Sequence, residues 1–157
     1  MGSGLEEERP RLGRDVSDAG GVVREFVAGL QAGHDARDAD ILNAQFAGDV
    51  FIDPIAQSQG PTPMTVGSVH FTPCARTGWH VHSIGQTLFV TEGEGRVQAR
   101  GGRLHTIRSG DIVRTPGGEW HWHGAAPDKF MTHLAITEGT TEWGDPVTDA
   151  AYLAERS

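Results

Sequence analysis

The sequence predicts an all-β domain, a barrel or sandwich of short antiparallel strands, preceded by a short helical extension. Three observations indicate this class. After Asp49, short apolar or alternating runs are separated by Gly, Pro, Asn and Asp, the residues that form turns between strands. No helical pattern lies between one run and the next. Seven of the eight histidines lie between His70 and His133, inside these runs.

The first part of the chain has a different pattern. Residues 1–17 mix Glu, Arg, Gly and Pro with almost no apolar spacing, which is typical of a solvated arm. Apolar residues then recur at helical spacing behind a capping residue at Ser17 or Asp18, and residues 34–48 fit either a second short helix or a loop. We predict a disordered arm over residues 1–17, a helical extension over 18–45 and a β-barrel domain over 46–157.

Nine segments fit the strand pattern, and a last helical turn is predicted over Asp149–Arg156. The predicted strands are Val50–Ile55, Met64–Thr72, Gly78–His82, Thr87–Glu92, Gly95–Arg100, Leu104–Ile107, Asp111–Thr115, Trp120–Gly124 and Phe130–Thr137.

Size and charge exclude several classes of function. A chain of 157 residues and 16.8 kDa fits one ordinary domain. A net charge of −8, with no local cluster of Lys and Arg, argues against nucleic acid as a partner. No apolar run reaches the roughly 18 residues that span a bilayer, so no membrane partner is expected. A single cysteine, Cys74, excludes an internal disulfide, and we predict a cytoplasmic protein in which Cys74 is a buried small residue.

Four histidines form two His-x-His pairs, His80 with His82 and His121 with His123. Residues two apart in a strand point to the same face, so each pair can present two imidazoles to a barrel interior. An isolated histidine is more often a surface or core residue than a ligand. Two pairs in one β-domain reverse that preference, because imidazole is the commonest neutral metal ligand. The pattern predicts a site for one divalent cation.

The residues around these pairs resemble the two sequence motifs of the cupins. The stretch from Gly78 to Gly93 is similar to the first motif, which contains two histidines, a Glu or Gln and a closing glycine. Gly110, Pro116, Gly118 and His121 match the second motif in type and spacing. The resemblance implies a single small cupin, a double-stranded β-helix or jelly-roll barrel. It implies His80, His82, Gln86 and His121 as metal ligands, and it places Cys74 where the first motif usually begins with glycine.

A more specific resemblance extends from about Phe46 to Tyr152. The runs from Ala75 to His80, Gly85 to Leu88, Trp120 to Ala125 and Met131 to Ala135 are similar to small manganese-binding cupins that include bacterial cupin hydroxynitrile lyases. This resemblance implies His123 and His133 as catalytic candidates beside the metal, one of them handling a proton. It implies manganese as the cofactor, with Fe, Zn or Ni as other possibilities.

Three functions fit this ligand set. With Gln86 in place of a Glu, all four protein ligands are neutral, so the ion keeps its full charge toward a hydroxyl or carbonyl oxygen. This favours metal-dependent lyase chemistry on a small substrate, with C–C cleavage like that of the hydroxynitrile lyases. An Fe- or Mn-dependent dioxygenase is the second possibility, and a non-catalytic cupin that binds a metal or small ligand is the third. A catalytic site needs His123 and His133 beside the ion, whereas a cupin that only binds a metal or small ligand does not.

The remaining expectations concern the cavity and the surface. Seven residues are candidates to line the cavity: Gly67, Val69, Phe71, Val81, Ile84, Val113 and Thr137. Three tryptophans, Trp79, Trp120 and Trp122, alternate with the proposed ligands and are expected to pack on the outside of the barrel or at a subunit interface. Small cupins commonly pair, so a homodimer or another homo-oligomer is expected, with a small molecule as the substrate.

Overall fold

The computed structural model describes residues 45–58 and 60–154. The predicted arm, residues 1–17, lies outside the described residues, and so does the predicted helical extension, residues 18–45, except for Gln45. The proposed domain boundaries therefore stay a prediction. Within the described part of the chain, no helix is both long enough and apolar enough to cross a membrane.

The described residues form eleven strands and one short helix. They are β1 (Phe46–Ala47), β2 (Val50–Ser58), β3 (Met64–Phe71), β4 (Arg76–Thr77), β5 (His80–His82), β6 (Gly85–Ala99), β7 (His105–Arg108), β8 (Ile112–Pro116), β9 (His121–Ala125), β10 (Met131–Glu138), β11 (Thr141–Trp143) and α1 (Asp149–Leu153).

The strands form two antiparallel layers that share β6. One layer has the order β2-β3-β10-β6-β8, and the other has the order β1-β4-β9-β6-β7, with β5 pairing both β9 and β11. The inward side chains of both layers face each other across the interior, as in a jelly roll. The all-β cupin fold predicted from the sequence is confirmed.

The long strand β6 joins the two layers. The sequence predicted two strands, Thr87–Glu92 and Gly95–Arg100, where the structure has a single strand from Gly85 to Ala99. Gly93, which the strand pattern treats as a break, lies at the change of layer with φ 78°, and a Cβ there would collide with the Phe130 carbonyl oxygen. Glycine is the residue that accepts this conformation, so the strand bends without ending.

Apolar packing divides into an inner and an outer cluster. The inner cluster includes Phe71, Val90 and Met131, all fully buried between the two layers. The outer cluster forms where the C-terminal tail lies against β9, and it contains Trp122, Val147 and Tyr152. The tail thus covers the outer side of the strand whose inner side carries His121 and His123.

Tyr152 is the main contact of the tail. Its hydroxyl donates to the Ala125 carbonyl oxygen at 2.7 Å, and the guanidinium groups of Arg76 and Arg96 lie 4.5 and 5.3 Å from the centroid of its ring. Arg76 also donates to the Val147 carbonyl oxygen at 2.9 Å. The predicted helix Asp149–Arg156 is observed over Asp149–Leu153 as α1, and residues 155 and 156 lie outside the described residues. The Thr148 hydroxyl caps α1 by accepting from the Ala151 N–H.

The three tryptophans that alternate with the proposed ligands lie outside the barrel, as expected. Trp122 belongs to the outer cluster, and its indole N–H donates to the Gln98 side-chain oxygen at 3.0 Å. Trp79 and Trp120 flank the guanidinium of Arg100, which lies 5.1 and 4.7 Å from their ring centroids.

The prediction that Cys74 is buried is wrong. Cys74 is exposed, and among the described residues other than glycine it is the one with positive φ, 71°. The left-handed backbone at this turn explains why the first cupin motif usually begins with glycine here. The conformation is set by the turn between β3 and β4, which directs the side chain away from the core.

Candidate metal centre

Three imidazoles meet inside the barrel. His80 and His82 lie on β5 and His121 lies on β9, where His80 and His121 are direct partners across the two strands. One ring nitrogen from each side chain lies within 4.8 Å of the others. The three residues are only 2%, 3% and 1% exposed. The period-two geometry expected for His80 and His82 is present, because both are buried while Val81 between them is only partly covered.

The Nδ1 atoms of these rings are tied to fixed partners. His80 Nδ1 lies 3.0 Å from the Gly78 carbonyl oxygen, and His121 Nδ1 lies 3.0 Å from the Glu119 carbonyl oxygen. A carbonyl oxygen only accepts, so Nδ1 carries the proton in both rings and Nε2 keeps a free lone pair. His82 Nδ1 lies 2.9 Å from the Thr141 hydroxyl. This is the arrangement that prepares imidazoles as Nε2 ligands.

Gln86 completes the group from β6. Its Oε1 lies 3.1 Å from His121 Nε2, and its amide Nε2 donates to the Thr137 hydroxyl at 3.0 Å. With Nδ1 of His121 protonated, Oε1 and Nε2 are two acceptors that face each other. His82 Nε2, also buried, has no hydrogen-bond partner among the described residues. A divalent cation between these atoms would satisfy all of them, so the residues fit a metal ion.

Burial keeps these imidazoles neutral. Loss of solvent, reinforced by the neighbouring histidines, lowers the pKa of His80 to about 3 and the pKa of His82 to about 4. Burial also lowers the pKa of His121, although the Glu119 carbonyl and carboxylate oppose the shift. Neutral imidazoles bind metals and protonated ones do not, so the three rings are competent ligands at neutral pH.

A second group of imidazoles lies beside the first. His133 Nε2 on β10 lies 3.3 Å from His123 Nδ1 on β9, and Phe71 packs against both rings. The ring centroid of His123 lies 5.2 Å from that of His80 and 5.9 Å from that of His121. His123 Nε2 and His133 Nδ1 are buried and have no partner in the described part of the chain. The pair therefore has one nitrogen free at each end.

The pair is also neutral. Burial, followed by the proximity of His133 and His80, lowers the pKa of His123 well below its ordinary value. Burial lowers the pKa of His133 to about 4. In a neutral pair the proton on the shared hydrogen bond belongs to one ring or to the other, and each choice leaves a different nitrogen protonated at the ends.

Both groups open into one cavity of about 250 Å³. Its lining residues include His80, His82 and Gln86, both imidazoles of the pair and several aromatic and aliphatic side chains, with no Asp, Glu, Lys or Arg among them. They are Phe46, Ile52, Thr65, Val69, Phe71, Thr77, His80, His82, Gln86, His123, His133, Ala135, Thr137, Thr141 and Trp143. His121 is not a lining residue, but its Nε2 lies 3.1 Å from Oε1 of the lining residue Gln86.

Three of the seven cavity residues expected from the sequence line it: Val69, Phe71 and Thr137. The other four, Gly67, Val81, Ile84 and Val113, are not lining residues. The sequence reasoning missed Thr65, although it lies on the same face of β3 as Val69 and could have been found from strand alternation. It also missed Phe46, Thr141 and Trp143, which lie on the two- and three-residue strands β1 and β11.

Comparisons with known proteins agree with the fold. A sequence profile of the cupin domain matches residues 67–137. A protein from Granulicella tundricola named (R)-mandelonitrile lyase is 49% identical over 111 residues, which cover 68% of this chain and 85% of that protein.

Solved structures give the same result. A cupin-like protein from Thermotoga maritima is 39% identical, with a TM-score of 0.66 over 69% of this chain and 85% of that one. A cupin-2 domain from Rhodospirillum rubrum, 19% identical, has a TM-score of 0.55 over 69% of this chain and 72% of that one, and supports the fold alone. With its barrel, its three-histidine group and a relative of this identity and coverage, the chain belongs to the cupin family.

Proposed function

We propose that this protein is a metal-dependent lyase that cleaves a small hydroxynitrile into an aldehyde or ketone and hydrogen cyanide. One observation carries the proposal: three of the four neutral side chains proposed as ligands line the same cavity as a hydrogen-bonded imidazole pair, and the fourth, His121, contacts them. The similarity to a protein named (R)-mandelonitrile lyase supports it.

The ligands of the proposed ion are His80, His82, His121 and Gln86. When bound, a divalent ion with only neutral protein ligands supplies strong Lewis acidity toward a hydroxyl or carbonyl oxygen. Manganese is the proposed metal, on the basis of the oxygen donor and the resemblance to manganese-binding cupins. The divalent ions of Fe, Ni and Zn bind histidine-rich sites more tightly than Mn²⁺ does. The metal supplied during expression will therefore influence which metal the purified protein contains.

The imidazole pair is the proposed proton carrier. His123 is the nearer of the two to the ligand group, and its unpartnered Nε2 can accept the proton of the substrate hydroxyl. The bond between the carbinol carbon and the nitrile carbon then breaks, and its electron pair leaves with cyanide while the carbonyl forms. His123 returns the proton to cyanide, so the products are the carbonyl compound and hydrogen cyanide.

The cavity wall supports a neutral substrate with an apolar substituent. Phe71 lies beside the imidazole pair, and Phe46 and Trp143 pack together with ring centroids 5.5 Å apart. Among the described residues, no charged side chain lines the cavity to bind a carboxylate or an ammonium group. Apolar walls with a few polar groups at one side are typical of sites that orient a small organic molecule.

A dioxygenase that uses iron or manganese is the second candidate, because three histidines can also hold a redox-active ion that binds oxygen. The third candidate, a cupin that only holds a metal or small ligand, is less well supported. A cupin that only holds a metal has no use for His123 and His133, which line the same cavity as His80, His82 and Gln86 and have nitrogens without a partner in the part of the chain that the structure describes.

One experiment separates the three functions. The manganese and iron forms are incubated with mandelonitrile and with a panel of phenols and diketones, with and without oxygen, while cyanide release and oxygen uptake are measured. If the protein is a lyase, cyanide is released from mandelonitrile faster than in buffer without protein, with or without oxygen. Oxygen uptake with a phenol or diketone and no cyanide release would indicate the dioxygenase, and neither signal would indicate a binding protein.

The assembly and the location of the protein stay predictions from the sequence. Light scattering tests the homodimer, for which the mass in solution is twice the 16.8 kDa of the chain. A mass equal to that of one chain would contradict it. The proposed cytoplasmic location is tested by fractionation of the native cells.

A further inference from the structure

Gln86 differs from the other proposed ligands because its side chain has two chemically different ends. The carbonyl oxygen can bind a cation, and the amide nitrogen can only donate hydrogen bonds. Carbonyl oxygens at Nδ1 hold His80 and His121 in the ligand tautomer, but the Gln86 amide can rotate by half a turn and exchange its two ends. Some neighbouring group must therefore accommodate or select the orientation.

That neighbour is Thr137. Gln86 on β6 and Thr137 on β10 are direct partners across the two strands, and both side chains point into the cavity. The Thr137 hydroxyl lies 3.0 Å from the Gln86 amide nitrogen, and Gln86 Oε1 lies 3.1 Å from His121 Nε2. Gln86 is only 7% exposed, so water does not replace a lost partner easily. In this orientation the oxygen faces the ligand group and the nitrogen faces the hydroxyl.

The opposite orientation is favourable when no cation is bound. The Gln86 nitrogen would then donate to His121 Nε2, which has a free lone pair, and the Gln86 oxygen would accept a hydrogen bond from Thr137. A hydroxyl both donates and accepts, so Thr137 is a partner for either orientation. Binding of a cation needs the oxygen toward His121, and the hydroxyl makes this rotation possible without loss of a hydrogen bond at the other end.

We infer that Thr137 is a positioning residue for metal binding, because its hydroxyl accepts from the Gln86 amide nitrogen when the oxygen is directed toward the cation and so keeps that buried nitrogen hydrogen-bonded in the metal-bound orientation. This inference rests on the proposed metal ligands and does not depend on the lyase reaction. Removal of the hydroxyl leaves the Gln86 nitrogen buried without a partner in the metal-bound orientation, so it weakens metal binding. The opposite orientation of the amide, which is favourable without a cation, is destabilised less by this substitution, because the Gln86 nitrogen still donates to His121.

The test is a titration of metal-free protein with Mn²⁺ in competition with a chromophoric chelator. Thr137→Val removes the hydroxyl at nearly constant volume, and we expect it to raise the dissociation constant about tenfold, which corresponds to about 1.4 kcal/mol. Thr137→Ser keeps the hydroxyl, and we expect it to bind within about twofold of the wild type. Thermal melts of the metal-free variants show that each one folds.

Thr132→Val is the matched control. Thr132 lies on the same strand, and its hydroxyl contacts His70 Nδ1 at 2.8 Å on the outer face, away from the cavity. We expect this variant to bind Mn²⁺ like the wild type. In a Gln86→Ala background, Thr137→Val should have no further effect on affinity, because the amide that it positions is gone.

The outcomes separate this inference from the proposed metal site. Wild-type affinity in Thr137→Val, equal losses in Thr137→Val and Thr137→Ser, or a full effect of Thr137→Val in the Gln86→Ala background would each overturn the role of Thr137 and leave the metal site intact. Failure of the wild-type protein to bind one ion would overturn both.

Discussion

The two groups of imidazoles inside the barrel are equally buried but differ in the partners of their Nδ1 atoms. In the ligand group, His80 and His121 donate to backbone carbonyl oxygens, which fixes the position of the proton on each ring. In the pair, His123 and His133 contact each other, so either ring can be the donor. A fixed tautomer suits a ligand, and an exchangeable one suits a group that moves a proton. Residue type and burial alone do not distinguish the two groups.

The largest expected effect is loss of the metal from the ligand group. His80→Ala or His121→Ala removes one of three nitrogen donors, and we expect the metal content of protein expressed with added manganese to fall from about one ion per chain to nearly none. Elemental analysis of purified protein measures it. His105→Ala, which removes an exposed histidine on β7, is the control and should keep the ion. Full occupancy in the two ligand variants would show that the ligand assignment is wrong.

The second prediction concerns the pair. His123→Phe keeps a ring of similar size but removes both nitrogens, so we expect about one bound ion and a 10²- to 10⁴-fold lower rate of cyanide release, the range typical of a lost general base. Metal content and rate are measured on the same sample. If the variant loses its metal, His123 belongs to the ligand group, and the distinction between the two groups fails.

The side of each strand on which the imidazoles lie was predictable from the sequence. Strand alternation places His80 and His82 on one face, and the same rule applies to His121 and His123. Turn residues locate most of the strands. These signals depend on residues that are close in the chain, which is why one sequence suffices to detect them.

The partners of the imidazoles were not predictable in this way. Thr141, which contacts His82, lies on a three-residue strand that is defined by its pairing with β5, far away in the chain. The contact between His123 and His133 depends on how β9 and β10 pack across the interior. The exposed position of Cys74 depends on a left-handed turn that a Cys residue does not signal. Each of these features arises from tertiary structure.

Acid should destabilise the metal-free protein through both groups. The folded state holds these imidazoles neutral, with pKa values of about 3 for His80 and about 4 for His82 and His133, below the ordinary 6.5. Their stabilising contribution is complete above pH 6.5 and is lost as the pH falls to about 4 for His82 and His133 and to about 3 for His80, because over this range only the unfolded chain takes up the protons. We expect each of these imidazoles to lower the free energy of unfolding at pH 5.5 by about 1.4 kcal/mol relative to its value at neutral pH.

Denaturant titrations of metal-free protein from pH 7.5 to 5 measure this dependence. His133→Phe removes one buried imidazole, so about one proton fewer should be taken up on unfolding and the free energy of unfolding should fall less steeply with decreasing pH. His105→Phe, at an exposed position, serves as the control. A stability that stays constant over this range would mean that the cavity is hydrated enough for the imidazoles to charge in the folded state.

The smallest effect separates the two members of the pair. His133 contacts His123 through its Nε2, and the ligand group lies on the far side of His123, so His133 influences the proton through the tautomer of His123. His133→Phe should therefore keep the metal and lower the rate of cyanide release by about tenfold, less than His123→Phe, and it should add little to His123→Phe in the double variant. A loss as large as that of His123→Phe, additive in the double variant, would mean that His133 contacts the substrate itself. In that case the two imidazoles act independently, and the hydrogen bond between them does not carry the proton.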